Sequence, residues 1–354
     1  MEAFVLKAPG ETGYIKVEQP TLTPHGAILK PIVVSVCTSD IHTIYGSRSN
    51  KAPDLILGHE CVAEIVEVGE YVRDFKRGDI VAVPAITPDW TESSIQDGNF
   101  NHAGAPFSGH QFGRTASGVF SEFFSLPHAD STLAKIPEGV SVEQALLSVD
   151  VVTTGFTGVE AANVKFGDAV CVLGIGPIGL MSIVGAKLRG AGRIIAVGNR
   201  CISVKLARHF GATDIFSYKA KDLEKDILAL TEGIGVDSTI IAGGNDETFI
   251  QAFNVTRYGV GTVANISYVG GTGNIPVPKF SAGRGMSGKT LKMELAKGGR
   301  KRVERILDMI KHERFDPSPL VTHKLYGFDK ISEAINIMRE KSDDVLKIAI
   351  YTQF

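Results

Sequence analysis

The sequence has few cysteines, and none is spaced to form a Cys-x-x-Cys pair. Four cysteines are dispersed over 354 residues, so we expect no disulfide framework and predict a reducing, cytoplasmic location. An excess of one charge sign is also missing, because the net charge is −2 and no basic block is present. This pattern argues against a nucleic acid or an anionic membrane as partner and favours a small molecule.

Long uninterrupted apolar runs are absent as well. The first residues lack a basic region followed by an apolar run, so we expect no export signal. The apolar stretch 170–188 is interrupted by glycines at turn positions and followed by charged residues, which argues against a membrane span. With 44% hydrophobic and 21% charged residues, the composition is that of a soluble globular chain, and its length indicates about two domains.

The most informative segment, 169–200, has the pattern of a strand, a glycine turn, a helix and a second strand. A β-branched run over 170–173 leads into the turn, and a helix is predicted over about 177–188 and ended by Gly192. A second buried strand over 193–197 follows at the distance that a right-handed crossover needs. This setting favours a dinucleotide site over a crossover without a ligand.

Three glycines in this turn have separate physical roles in such a site. Gly174 makes the tight turn, Gly176 lets the backbone approach a pyrophosphate, and Gly179 lets the helix pack closely on the strand. The helix N-terminus then presents free N–H groups to the anion.

The end of the second strand predicts which dinucleotide is bound. In an NAD site a carboxylate about 20 residues beyond the glycine motif binds the ribose 2′-hydroxyl. Here the strand ends in Gly198, Asn199 and Arg200, with no acid. Because a guanidinium can bind a 2′-phosphate bidentately, we predict NADP(H).

Along the whole chain, the pattern of predicted helices and strands changes twice. Residues 1 to about 150 are typical of short strands separated by turns, with runs at 26–36, 61–68 and 79–83. From about 155 to 294 strands and helices alternate: helices are predicted at 201–210 and 222–230, and strands at 214–216, 237–241 and 259–266. After that, helices at 299–312 and 330–339 precede a closing strand at 346–351, which we expect to rejoin the first domain.

We therefore predict an α/β fold with two domains. A doubly wound parallel-sheet domain, residues 154–294, would be inserted in a β-rich domain formed by residues 1–153 and 295–354. The inserted domain would carry the dinucleotide.

The first domain contains a group of metal-ligating residue types. Cys37, Asp40 and His42 are followed by His59 and Glu60, which supply a thiol, two imidazoles and two carboxylates. These are the usual protein ligands of zinc, and a catalytic zinc site uses three and leaves the fourth position to water or substrate. Taken singly, Cys37 could be a core thiol and His59 a turn histidine.

These motifs resemble the zinc-dependent medium-chain alcohol dehydrogenase family. The similarity runs over nearly the whole chain and is closest to the NADP-dependent secondary alcohol dehydrogenases of anaerobic bacteria. It is carried by the segments VCTSDIH, ILGHE, VPAITPDW, TTGF, VGAKLRGAGRIIAVG, GATDI and IIAGGN. The resemblance implies a GroES-like catalytic domain, a Rossmann domain, reversible oxidation of secondary alcohols to ketones, and a homotetramer.

The resemblance also implies a set of zinc ligands. One zinc ion would be held by Cys37, His59 and Asp150, with Glu60 able to approach the metal and Asp40 orienting the His59 ring. Many relatives have a cysteine at the third of these places.

Two other interpretations of the third ligand remain open at the level of sequence. Asp150 alone would be predicted to be a helix N-cap ahead of residues 151–154. Cys61 could share a face with His59 if that segment is a strand. Relatives with a second, structural zinc carry four cysteines in the region of residues 90–118, which has none here, so we predict one zinc ion and no structural zinc.

The remaining site residues follow from the same resemblance. Ser39 and His42 resemble a proton relay, although His42 alone could be a surface histidine. The implied cofactor contacts are Gly174, Ile175, Gly176, Pro177, Ile178 and Gly179 at the pyrophosphate, Gly198, Asn199, Arg200 and Tyr218 around the 2′-phosphate, Ile266, Ser267 and Tyr268 by the nicotinamide, and Lys341. Lys341 could instead be a solvated helix end.

Departures from the family pattern affect the substrate prediction. His110 stands where close relatives have tryptophan, Ala296 where they have cysteine, Ala63 where the motif has glycine, and Asn199 where they have serine. Small aliphatic 2-ketones are the expected substrates. An imidazole in place of an indole at residue 110 changes the volume and polarity of the pocket, so we expect bulkier or more polar ketones to be accepted as well. The alternatives are a zinc-dependent polyol dehydrogenase, a zinc-free quinone or enoyl reductase, and a non-catalytic dinucleotide-binding protein.

Overall fold

The computed structural model describes residues 1–46, 54–270 and 273–353. The chain forms two compact units, one made of residues 1–153 and 297–354 and the other of residues 154–296. Among the described residues, no helix combines the length and the apolar character that crossing a membrane requires. All four cysteines are free thiols.

The first part of the chain is rich in strands. Its elements are β1 (Glu2–Ala8), β2 (Glu11–Lys16), β3 (Ala27–Ser35), α1 (Thr38–Tyr45), β4 (Leu55–Ile56), β5 (Glu60–Val68), β6 (Ile80–Val83), β7 (Phe124–Leu126), α2 (Ala129–Thr132), β8 (Ala134–Lys135) and α3 (Val142–Leu147). A π-helical turn, Ser148–Val152, follows α3 directly.

The second part of the chain alternates helices and strands, and a mixed tail follows it. The alternating elements are α4 (Thr153–Ala161), β9 (Ala169–Leu173), α5 (Pro177–Leu188), β10 (Arg193–Val197), α6 (Cys201–Phe210), β11 (Asp214–Phe216), α7 (Leu223–Ala229), β12 (Ser238–Ile241), α8 (Asp246–Val255), β13 (Thr262–Asn265) and β14 (Thr290–Met293). The tail consists of α9 (Arg300–Lys311), β15 (Val321–Tyr326), α10 (Ile331–Glu340) and β16 (Lys347–Tyr351).

The second unit is built on a six-stranded parallel sheet. Its strand order is β11-β10-β9-β12-β13-β14, so the order reverses beside β9, as in a doubly wound dinucleotide-binding fold. All four residues of β12 are buried, because a parallel sheet is covered by helices on both faces. The predicted α/β fold class is confirmed.

The first unit is built on a mixed seven-stranded sheet and a small three-stranded one. The larger sheet has the order β15-β16-β3-β5-β6-β8, with β7 also paired to β3, and the smaller has the order β2-β1-β4. The tail strand β16 pairs antiparallel with β3, placing Ala349 opposite Ser35. The last described strand of the chain thus joins the sheet whose first strand in the sequence is β3.

The end of α5 differs from the sequence prediction. We expected Gly192 to end this helix, but the glycine in the left-handed region is Gly190, with φ of 81°. The N–H of Gly190 donates to Lys187 and the N–H of Ala191 donates to Ala186, the pair of bonds found where glycine ends a helix. The prediction that Gly192 ends this helix was therefore wrong, because the glycine that ends it lies two positions earlier.

The glycine turn after β9 has the predicted differences between its glycines. Gly174 has φ of 91°, which favours glycine. A Cβ atom on Gly179 would lie 1.9 Å from the carbonyl oxygen of Gly174, whereas a Cβ on Gly176 would meet only Arg200 Nη2 at 3.9 Å. Close packing thus requires glycine at residue 179, and the space beside Gly176 is open.

We expect Gly179→Ala to lower the free energy of unfolding by at least about 2 kcal/mol, because α5 must move away from the turn to admit the methyl group. Gly176→Ala is the matched control and should change it by less than about 1 kcal/mol. Urea unfolding of the two variants without cofactor measures both values. Equal stabilities would contradict the packing role of Gly179.

Candidate metal centre and cofactor loops

Four side chains able to ligate a metal converge within the first unit. The ligand atoms of Cys37, His59, Glu60 and Asp150 all lie within 4.8 Å of one another. Cys37 Sγ and His59 Nε2 each lie 3.7 Å from Asp150 Oδ2. Ligands of a tetrahedral zinc ion, with bonds of about 2.0–2.3 Å, are about 3.3–3.8 Å apart, so both the donor set and its spacing fit zinc.

The pairing of β3 with β5 brings the first three of these residues together. Ser35 at the end of β3 lies opposite Glu60 at the start of β5, so Cys37 and His59 extend beyond the same edge of the sheet. Cys37 is the N-cap of α1, and its N–H donates to Asp40 Oδ2 at 2.8 Å. This capping contact fixes the start of α1 beside the metal-ligating group.

Asp150 reaches the group from a helical segment. It lies inside the π-helical turn Ser148–Val152, which follows α3 without a break. Asp150 is therefore not a helix N-cap, and the interpretation drawn from the sequence alone was wrong. Such turns are rare and are frequently found at functional sites.

Cys61, the alternative third ligand, points away from this group. It is fully buried in the hydrophobic core of the first unit, with residues such as Val34 and Val83, and does not belong to the metal-ligating cluster found among the described residues. Burial in this apolar surrounding raises the pKa of the Cys61 thiol well above its usual value. The geometry thus favours Asp150.

His59 is oriented by a carboxylate on the side away from the cluster. Its Nδ1 lies 3.3 Å from Asp40 Oδ1, which leaves Nε2 facing Asp150 and Ser39 Oγ, the latter at 3.3 Å. Burial lowers the pKa of His59, but Asp40 and Asp150 outweigh it and raise the pKa well above its usual value. The His110 ring packs edge-on against His59, with centroids 4.9 Å apart.

Glu60 is held in a buried ion pair. Lys347 Nζ lies 2.5 Å from Glu60 Oε2, and the two side chains are 4% and 0% exposed. Glu60 Oε1 is buried and makes no hydrogen bond within the described residues, which leaves it available to a cation. Burial raises the pKa of Glu60 to about 7, although Lys347 acts in the opposite direction.

Lys347 was not predicted from the sequence as a residue of the site. A signal was present, because Lys347 is a single charged residue in the otherwise apolar closing strand, LKIAIY. A lysine in such a strand is buried only when an acid pairs with it, so it predicts a carboxylate partner.

The two predicted relay residues lie on α1. Ser39 and His42 are three positions apart and so share one face of the helix. Both are partly buried.

The predicted cofactor residues lie at one edge of the parallel sheet, with one exception. Residues 174–179, 198–200, 218 and 266–268 follow the carboxyl ends of β9, β10, β11 and β13, which is the edge where doubly wound sheets bind ligands. A Cβ on Gly198 would meet the Ile175 side chain at 2.2 Å, so the first two loops are in contact. Lys341 lies in the first unit, where it caps the end of α10.

Comparisons with known proteins agree with this architecture. The family model for zinc-binding dehydrogenases matches residues 177–311, and that for the alcohol dehydrogenase GroES-like domain matches residues 23–138. The NADP-dependent isopropanol dehydrogenase of Thermoanaerobacter brockii is 48% identical over 347 residues, which cover 98% of each chain. The enzyme of the same name from Clostridium beijerinckii is 44% identical over 350 residues and 99% of each chain.

A solved structure gives the same result at the level of the fold. The apo form of zinc-dependent alcohol dehydrogenase 2 from Streptococcus pneumonia superposes with a TM-score of 0.90 at 26% identity, covering 100% of this chain and 99% of that one. The family models, the full-length relatives and the shared fold agree, and the chain therefore belongs to the zinc-dependent alcohol dehydrogenase family.

Proposed function

We propose that the protein is an NADP(H)-dependent, zinc-dependent enzyme that reversibly oxidises secondary alcohols to ketones. The observation that carries this proposal is the convergence of Cys37, His59 and Asp150 in a chain 48% identical to an NADP-dependent isopropanol dehydrogenase. Residues 1–153 and 295–354 would form the GroES-like catalytic domain, and residues 154–294 the NADP-binding Rossmann domain.

One zinc ion would be held by Cys37, His59 and Asp150, with Glu60 in reach. When bound, zinc supplies a Lewis acid that polarises the substrate oxygen and makes an alkoxide accessible near neutral pH. We propose no structural zinc, because residues 90–118 contain no cysteine.

The side chains of α1 would prepare the site and move the proton. The Asp40 carboxylate lies beside Nδ1 of His59 and orients the ring, so that Nε2 faces the other proposed ligands. The Ser39 hydroxyl would accept the proton from the substrate oxygen and pass it towards His42, which would release it to solvent.

Ser39→Ala should lower kcat for ketone reduction by about 10²-fold, because the hydroxyl that carries the proton is removed. Ser39→Thr keeps a hydroxyl and should retain most of the activity. Zinc content should be unchanged in both variants, since Ser39 is not a proposed ligand. Turnover by Ser39→Ala at the rate of the unmodified chain would refute the relay.

NADPH would supply the hydride, bound at the carboxyl edge of the parallel sheet. The open space beside Gly176 would admit a pyrophosphate, and the N-terminus of α5, which has no side-chain cap, would offer it N–H groups. Arg200 would bind the 2′-phosphate, with Gly198, Asn199 and Tyr218 around it. The nicotinamide would be contacted by Ile266, Ser267 and Tyr268. We also propose Lys341 as a contact of the cofactor.

Small aliphatic 2-ketones and their alcohols are the proposed substrates. His110 packs against His59, so an imidazole stands beside the proposed metal centre where close relatives have an indole. Because imidazole is smaller and more polar than indole, we expect the substrate pocket to accept bulkier or more polar ketones as well.

The direct test is NADPH oxidation with a panel of ketones, before and after chelation of the metal. The proposal predicts activity with 2-ketones, a strong preference for NADPH over NADH, loss of activity on chelation and recovery with zinc. Activity that survives complete removal of the metal would overturn the zinc-dependent reaction.

We also propose a cytoplasmic homotetramer. Among the described residues β14 is an edge strand of the six-stranded sheet, and it carries Met293, which is 54% exposed. The segment that precedes β14 in the sequence carries Phe280, 86% exposed, and Met286, 84% exposed. Exposed apolar groups on and before an edge strand support burial of this part of the chain by another copy.

A further inference from the structure

The ion pair between Glu60 and Lys347 lies directly beside the other metal-ligating side chains. Lys347 Nζ is 2.5 Å from Glu60 Oε2 and 3.3 Å from the carbonyl oxygen of Val36. Both charged side chains are almost fully buried, so water screens their attraction little. One carboxylate oxygen is therefore held, and the other, Oε1, makes no hydrogen bond within the described residues.

The positive charge of Lys347 disfavours the binding of a metal cation beside it. A buried ammonium repels a dication, and it also attracts a carboxylate that could otherwise ligate that dication. As zinc ligands, the Cys37 thiolate and the Asp150 carboxylate would supply two negative charges, which balance the charge of one zinc ion. Glu60 supplies a third, and Lys347 balances this third charge.

We propose that Lys347 is a positioning residue that restrains Glu60 through Oε2, so that Glu60 does not become a permanent fourth metal ligand. The fourth position then stays accessible to the substrate oxygen, while Oε1 remains near enough to approach the metal when that position is empty. This inference rests on the proposed zinc centre and deepens it. It assigns to the final strand β16 a role in keeping the centre open.

The test measures metal binding by the full-length protein, independently of turnover. Zinc affinity is determined by competition with a colorimetric chelator. Lys347→Met should raise the affinity at least about tenfold, the size of effect that partners of metal ligands exert. In the cobalt-substituted protein, added imidazole should change the visible spectrum of the unmodified chain but not that of this variant.

Three further single variants and one double variant separate this role from a general structural one. Lys347→Arg keeps the charge and should leave the zinc affinity unchanged. Lys324→Met makes the same substitution at an exposed lysine paired with Glu143 and should also have no effect. Glu60→Gln, which keeps the shape of the side chain, should change the affinity by less than about threefold, and adding Lys347→Met to it should produce no further increase.

The outcomes divide clearly. Equal or weaker zinc binding by Lys347→Met, or a tenfold loss in Glu60→Gln, would overturn the restraining role, the second because Glu60 would then be a permanent ligand. If Lys347→Met does not fold, the Glu60→Gln result alone decides. Failure of the unmodified chain to bind zinc would instead overturn the proposed function itself.

Discussion

Arg200→Asp should reverse the cofactor preference from NADPH to NADH, changing the ratio of the two kcat/KM values by about 10³-fold. A guanidinium that binds a phosphate makes two charge-assisted hydrogen bonds, each contributing about 1.5–3 kcal/mol. A carboxylate at this place repels the 2′-phosphate and accepts a hydrogen bond from the 2′-hydroxyl of NADH. The Arg200 guanidinium lies beside Gly176, where the pyrophosphate is proposed to bind.

Steady-state kinetics with both cofactors measures this ratio. Arg208→Asp is the control, because it makes the same change inside α6, about 12 Å along the helix axis from Arg200, the N-cap of that helix. It should leave the ratio unchanged. A preference for NADPH that persists in Arg200→Asp would mean that another group binds the 2′-phosphate.

Asp150→Ala should remove zinc from the purified protein and lower kcat/KM by at least about 10³-fold. The substitution deletes one of two anionic ligands, and the Lewis acid that they hold contributes several kcal/mol to the reaction. Metal analysis and NADPH oxidation measure the two effects. Asp150→Cys should retain both zinc and activity, because a thiolate is also a zinc ligand.

Cys61→Ala is the control for this experiment. Cys61 lies in the hydrophobic core and outside the metal-ligating cluster, so its removal should leave the zinc content unchanged. Loss of zinc from Cys61→Ala, with zinc retained by Asp150→Ala, would reverse the assignment of the third ligand.

The parallel-sheet unit could be predicted well from the sequence. The four inner strands β9, β10, β12 and β13 are short, mostly buried runs, and strong turn residues separate the strands from the helices. Helix α6 and strand β11 were predicted with the bounds that they have. The exposed edge strand β14 and helix α8 were missed. Only one residue of β14 is even partly buried, so it lacks the apolar pattern of a strand.

The metal-ligating group could be predicted only in part. Cys37 and His59 belong to compact motifs, but Asp150 is separated from them by many residues and lies in a π-helical turn, which has no strong sequence signature. The family resemblance, and not the spacing, identified it. Lys347 was missed because its partner Glu60 becomes its neighbour only through the pairing of β16, β3 and β5.

The position of β16 in the sequence has a consequence for how the protein is made. This strand pairs with β3 but is translated after the whole second unit, so the sheet of the first unit stays incomplete until residues 347–351 have been synthesised and have left the ribosome. The second unit can fold during synthesis, whereas Glu60 meets its counter-ion only afterwards. Nascent chains could already carry the proposed zinc ligands, but not yet the lysine proposed to hold Glu60 back.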